Sequence, residues 1–285
     1  MFPRLSNSWQ LVKASAAVLR ADKELLVFPI VSSIVAMLVT ASFWVPAYAS
    51  GLSEQIFGPN AQRGPLAYAF LFGFYFVQYL VVFYFNSALV GAALIRLQGG
   101  DPTAADGFRI ANANLSNLMG YAAIAATVGV ALRFAADRGG RGGQWVSRIG
   151  GAAWTMASYL VVPVLVAEGL GPMDAVKRST QLLRRTWGEQ VIGGVGMGLV
   201  FFLVLLPLIA LGTVAILAVT GSGSVVLIAA VVIVFVLALI GLVLVQSALG
   251  GIYTAALYRH AEGGDVSAFY PRQLVAQAFR SKPGR

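Results

Sequence analysis

"FFLVLLPLIALGTVAILAVTGSGSVVLIAAVVIVFVLALIGLVLV", residues 201–245, carries no ionisable side chain and lies inside a longer uncharged stretch, 190–258. A bilayer core about 30 Å thick is crossed by roughly 20 apolar residues in a helix, so this stretch is long enough for two spans. "TGSGS" at 220–224 supplies the break a turn needs. Working back along the chain, no charged residue or histidine lies between Glu24 and Glu54, Arg63 and Arg96, Arg109 and Arg133, or Arg148 and Glu168.

Composition agrees. The chain is 58% hydrophobic and 11% charged, against about 25% charged in soluble domains, and its mean hydropathy is +0.79. The pattern predicts six transmembrane helices at 25–48, 66–97, 118–134, 151–168, 191–219 and 225–258. Arg133 and Arg148 pinch the third and fourth. "AYA" at 47–49 resembles a signal-peptide cleavage site. The apolar run before it exceeds the roughly 7–15 residues of a signal core, so the first helix is expected to remain.

Lysine and arginine set the expected orientation. With both termini and the loops after helices 2 and 4 in the cytoplasm, 15 of the 20 basic residues lie inside, as the positive-inside rule requires. Arg63, Arg133, Arg138, Arg141 and Arg148 fall outside, and "DRGGRGGQ" at 137–144 is read as a flexible outer loop that departs locally from the rule.

An internal repeat organises the rest. "LVKASAAVLR" at 11–20 and "AVKRSTQLLR" at 175–184 share Val12/Val176, Lys13/Lys177, Ser15/Ser179, Leu19/Leu183 and Arg20/Arg184. "NSALVGAALIR" at 86–96 and "QSALGGIYTAALYR" at 246–259 are also alike, and Gly-Gly-Asp follows each, ending at Asp101 and Asp265. Ordered elements at one offset argue for repetition over chance. "GFRIANANL" at 107–115 reads as a degenerate middle copy, giving units of about 1–100, 101–170 and 171–264 with a tail at 265–285, all in one membrane domain.

Each unit opens on an amphipathic stretch. At 100° per residue, Met173, Val176, Ser179, Thr180, Leu183 and Trp187 share a face, with Lys177, Gln181, Arg184 and Arg185 opposite. Trp9, Val12, Ser15, Ala16 and Leu19 repeat it, opposed by Lys13 and Arg20. Such helices lie in the membrane interface, apolar face at acyl depth and cations among head groups. Lys13, Arg20, Lys177, Arg178, Arg184 and Arg185 are therefore the candidate contacts to anionic lipid, and "FYPRQLVAQAFRSK" at 269–282 reads as a further interfacial helix. The expected fold is all-α: a polytopic bundle of six transmembrane helices in three helical hairpins, each preceded by a cytoplasmic amphipathic helix.

"SWQLVKASAAVLRADKELLVFP" at 8–29 and "VVPVLVAEGLGPMDAVKRSTQLLRRTWGEQ" at 161–190 resemble the uncharacterised prokaryotic integral membrane proteins of the domain-of-unknown-function family numbered 6159. The resemblance extends over essentially the whole chain and implies a membrane fold without an assigned activity. More distantly, the layout is similar to the membrane domain attached to some glycerophosphodiester phosphodiesterases. The chain has no soluble phosphodiesterase domain, so that activity does not follow from the likeness.

Chemistry-bearing residues are sparse. There is no cysteine, and His260 is the single histidine, so "RHAEGGD" at 259–265 makes a poor metal site and no Ser-His-Asp set stands out. No cofactor and no nucleic-acid partner is expected. "GGVGMG" at 193–198 lacks dinucleotide-loop spacing, and Gly194 and Gly198 read as small-residue helix packing. Pro29, Pro163 and Pro207 are expected to bend spans 1, 4 and 5. The intramembrane polar residues are neutral, chiefly Gln78, Asn86, Ser87, Gln246 and Ser247. Asn86 and Gln246 occupy equivalent repeat positions and either hydrogen-bond across the bundle or line a polar cavity; packing is the favoured reading. The expectation is a non-enzymatic membrane protein organising lipid or partner proteins at the cytoplasmic face; the alternative is a permease for a neutral or amphiphilic solute.

Overall fold

A computed structural model describes residues 2–58, 64–187, 192–221 and 223–270, with side chains over 8–58, 64–184, 198–221 and 223–270. Among them all regular structure is helical: α1 (Phe2–Ala21), a 3-10 turn at Lys23–Leu26, α2 (Val27–Ala49), α3 (Leu52–Phe57), α4 (Pro65–Leu97), α5 (Ala104–Ala113), α6 (Leu115–Arg138), α7 (Gly140–Ala157), α8 (Val161–Glu168), α9 (Pro172–Trp187), α10 (Ile192–Thr220) and α11 (Val225–Ala261). Among the described residues six stretches are long and apolar enough to cross a membrane: Lys23–Ala49, Pro65–Leu97, Leu115–Arg138, Gly140–Glu168, Gly198–Thr220 and Val225–Ala261.

Side-chain fit explains the neighbours. α2 runs against α4, with Phe43 edge-on to Phe70 and Phe74 at 5.7 Å. α4 meets α6 where Phe83 stacks on Tyr121 at 4.4 Å. α10 meets α11 where Phe235 covers Gly212, whose absent side chain would lie 2.2 Å from the ring. Gly198 faces open space and Gly194 lies outside the residues whose side chains are described; Gly212 is the close contact of this pair, where a large ring needs the room.

The principal core gathers at the end where α2, α6 and α10 begin and α4, α8 and α11 finish. There Val18, Phe28, Ala88, Leu89, Leu160, Leu165, Ile252 and Leu257 are buried together. Three further helices cover this near end: α1 packs on α10 and α11, α5 on α4, and α9 on α8 with the adjoining ends of α6 and α7. Toward the far end apolar surface is exposed, as at Met37, Leu38, Leu211, Leu217 and Val234. Lipid tails, no more polar than these side chains, are what such a surface fits.

Several expectations change. The residues 137–144 are not a loop: α6 continues to Arg138 and α7 starts at Gly140. The glycines serve close approach, since a Cβ on Gly143 would lie 2.0 Å from the Ala135 carbonyl oxygen. The fourth span accordingly starts earlier and breaks at 158–160 into α7 and α8. Pro29 and Pro163 sit in the opening turns of α2 and α8, where a missing N–H is not needed. Pro207 and Pro46, the latter not singled out by the sequence pattern, are the interior prolines. The stretch 269–282 lies almost wholly outside the described residues, as does the side chain of Trp187.

Candidate functional site

The near end joins its helices through two arginines, each between two carboxylates. Arg96, at the end of α4, donates from Nε to Asp22 at 3.0 Å and also pairs with Asp101 in the turn leading to α5. Glu24 accepts the Ala104 backbone N–H at 2.6 Å, stabilising the first turn of α5. In the second cluster, Arg178 of α9 donates from Nε to both oxygens of Glu168 at 3.2 Å and from Nη2 to Glu262 at 2.7 Å. Tyr258 donates its hydroxyl to Glu168 at 3.1 Å. The bond to Glu168 raises the Arg178 pKa above its already high ordinary value, so this cation persists at any accessible pH. The cluster ties the ends of α8 and α11 to α9.

The repeated serines are buried tie points. Ser15 shares a 2.7 Å hydrogen bond with Tyr270, 255 residues away. Ser179 accepts the Leu160 backbone N–H at 3.1 Å, a donor left open by the break between α7 and α8. Both serines are fully buried. Their appearance in both copies is the one sequence signal for this role; of the arginine clusters, the Arg96–Asp101 pair is marked by the shared Arg and Gly-Gly-Asp, while Arg178 stands where the first copy has Ala14.

The residues singled out from sequence divide sharply. Lys13, Arg20 and Arg184 are exposed, and among the described residues no carboxylate pairs with them. Lys13 lies over the Trp9 ring at 5.6 Å. Lys177 is also exposed and reaches Asp174 at 3.1 Å. Arg178 instead belongs to the buried-side cluster, and the side chain of Arg185 lies outside the described residues. The opposite faces are covered by protein: Val12, Ser15, Val18 and Leu19 on α1, and Ala175, Ser179, Leu182 and Leu183 on α9. The expected insertion of Val12, Ser15 and Leu19 to acyl depth is corrected by the packing of α1 on α10 and α11.

The amides do not meet as a pair. Asn86 is half-buried at the α4–α11 crossing, its Oδ1 3.3 Å from where a Gly251 Cβ would stand, whereas Gln246 is exposed. A periodicity of 3.6 places residues five apart on different flanks, so Gly251 and Gln246 look in different directions. Gln78 Oε1, Ser87 Oγ and Tyr253 Oη are buried without a hydrogen-bond partner among the described residues. Glu262, named in the metal possibility around His260, is engaged by Arg178.

Residues 66–268 match the model of a family of unknown function, DUF6159. The chain belongs to this family. The DUF6159 match takes in α4 to α11 and both partners of the Arg178 cluster, while α1 and the 8–29 stretch lie before it. The resemblance read from sequence is thus established over a shorter range than expected. No curated protein and no solved structure matches the chain, and the likeness to the phosphodiesterase membrane domain finds no support.

Proposed function

We propose that this DUF6159 protein is a non-enzymatic, multi-pass protein of the cell membrane that binds anionic lipid at its cytoplasmic face. In this reading its spans form three hairpins from an internal repeat, each opened by a short interfacial helix, with both termini in the cytoplasm. The observation that carries it is the division of charge at the near end. Asp22, Glu168 and Glu262 are consumed in fixing helices, whereas Lys13, Arg20 and Arg184 point outward with no carboxylate partner among the described residues, and Lys177 lies beside them. The apolar faces of α1 and α9 hold these cations against the bundle, so head groups meet a rigid basic rim. Each such residue near an anionic leaflet contributes about 1 kcal/mol.

The test uses the full chain with K13Q, R20Q, K177Q and R184Q together. Phosphatidylglycerol and phosphatidylcholine carried through purification from mixed membranes are counted by mass spectrometry. Selective retention of phosphatidylglycerol by the parent, and lower retention in the folded variant, is expected. Equal retention in both would refute the reading. A second reading, the permease, draws on one observation: Gln78 Oε1, Ser87 Oγ and Tyr253 Oη are buried polar atoms without hydrogen-bond partners among the described residues, which a neutral solute or water could satisfy.

A further inference from the structure

The far end of α6–α7 presents a second basic surface, of a different kind. Gly143, Ser147, Gly150 and Trp154 turn toward α6, and a Cβ on Gly150 would lie 2.9 Å from Leu132. The opposite side of α7 exposes Arg141, Trp145, Arg148 and Ile149, with Val146 alongside. Arg141 and Arg148 are seven residues apart, hence on one face and about 10 Å apart along the axis. Arg138, at the end of α6, is exposed too and stacks over Phe134 at 4.5 Å.

Carboxylates do not balance these cations. Asp137 is occupied by Arg133 at 3.6 Å and accepts the Tyr68 hydroxyl at 3.4 Å. Among the described residues none pairs with Arg138, Arg141 or Arg148. Trp145, Val146 and Ile149 are each 60% exposed or more, on a helix whose first residues, 140–144, its sequence would have made a polar loop. Leaving three large apolar side chains in water beside unpaired arginines is costly on both counts.

One ligand chemistry meets both demands. We infer that α7 is a binding surface for an anionic phospholipid in the leaflet opposite the basic rim: its phosphate bridges Arg141 and Arg148, and its acyl chains cover Trp145, Val146 and Ile149. Arg133, whose guanidinium lies 6.0 Å from the Phe57 ring of α3, and Arg148, beside the approach of Gly150 to Leu132, stand at one level at the far end of the α6–α7 pair. Guanidinium groups at this level extend along apolar stems to phosphate oxygens and bind them through paired donors. Tryptophan favours the same layer, ring in the acyl boundary and N–H among head groups. A water-soluble polyanion would satisfy the arginines and leave the apolar flank bare.

Trp145 reports on its own site. In full-length chain carrying W9F, W44F, W154F and W187F, its fluorescence is read in symmetric vesicles containing brominated phosphatidylglycerol or brominated phosphatidylcholine. Stronger quenching by the anionic lipid is expected, roughly twofold or more, falling to parity in R141Q/R148Q. Parity in the parent, or a preference unchanged by R141Q/R148Q, would overturn the inference. So would loss of the preference when inorganic phosphate is added, since the site would then bind a free phosphate. Should the single-tryptophan chain fail to fold, phosphatidylglycerol retained through purification by the chain with all its tryptophans, with and without R141Q/R148Q, tests the site independently. Retention that R141Q/R148Q lowers supports the site, and equal retention overturns it. Because the vesicles are symmetric and the near-end cations are untouched, the result stands apart from the cytoplasmic-face reading.

Discussion

Gly250 and Gly251 are neighbours in the last third of α11, yet the packing assigns them opposite responses to alanine. A Cβ on Gly250 meets nothing within 4 Å. A Cβ on Gly251 would lie 2.4 Å from Leu89 Cδ2, 3.0 Å from its Cγ and 3.3 Å from Asn86 Oδ1. Ordinary carbon–carbon contact is about 3.5–4.0 Å, so α4 or the Leu89 side chain must retreat by about 1 Å. Leu89 is 3% exposed, which leaves it little room to turn aside. Overpacking of this kind costs about 1–3 kcal/mol. Both substitutions share the helix-propensity gain of about 1 kcal/mol, so G250A should be neutral or slightly stabilising. G251A should fall below it by about 1–3 kcal/mol. Thermal unfolding in one detergent, followed by loss of monodisperse protein on size exclusion, measures both variants together. Equal stability of G250A and G251A would refute the α4–α11 crossing as described.

Two further outcomes follow from the near end. R178Q leaves Glu168 and Glu262 without their shared donor and should cost about 1.5–3 kcal/mol, whereas K177Q, at an exposed pair, should stay within about 0.5 kcal/mol; the same unfolding assay compares them, and equal melting temperatures would remove Arg178 as the tie between α8, α9 and α11. Asp106 caps α5: the Thr103 backbone N–H and hydroxyl, then Arg109, hold its carboxyl at about 2, below the ordinary 3.8. A lowered carboxylate pKa means stability that is present above pH 3.8 and lost as pH falls through about 2. Carbon-13 titration of the Asp106 carboxyl should show the low midpoint and T103V should raise it; a midpoint near 3.8 in the parent would contradict the cap geometry.

The helical class and the number of candidate spans were legible because uncharged length is a one-dimensional property, and a bilayer imposes the same threshold on every segment. Span 2, expected at 66–97, is α4 at Pro65–Leu97, and the "TGSGS" turn falls between α10 and α11. The exposed or buried fate of the polar residues was less legible. Lys177 and Arg178 are adjacent and both basic, yet one faces outward and the other holds three helices together. The ten-residue pattern shared by 11–20 and 175–184 reads in sequence as a lipid-facing helix, because periodicity marks an apolar face without saying what covers it.

The sequence by itself therefore determined how the chain divides into apolar helices and where its charges and glycines fall. Tertiary structure alone decided what those features meet: α1 and α9 turn their apolar faces onto other helices, and Ser15 and Ser179 bond to groups 255 and 19 residues away. It also turned "DRGGRGGQ" into a tight helical corner, because a glycine's missing side chain counts for flexibility or for close approach according to whether another helix lies against it. That distinction rests on distances between segments remote in sequence, which local propensity and hydropathy do not encode.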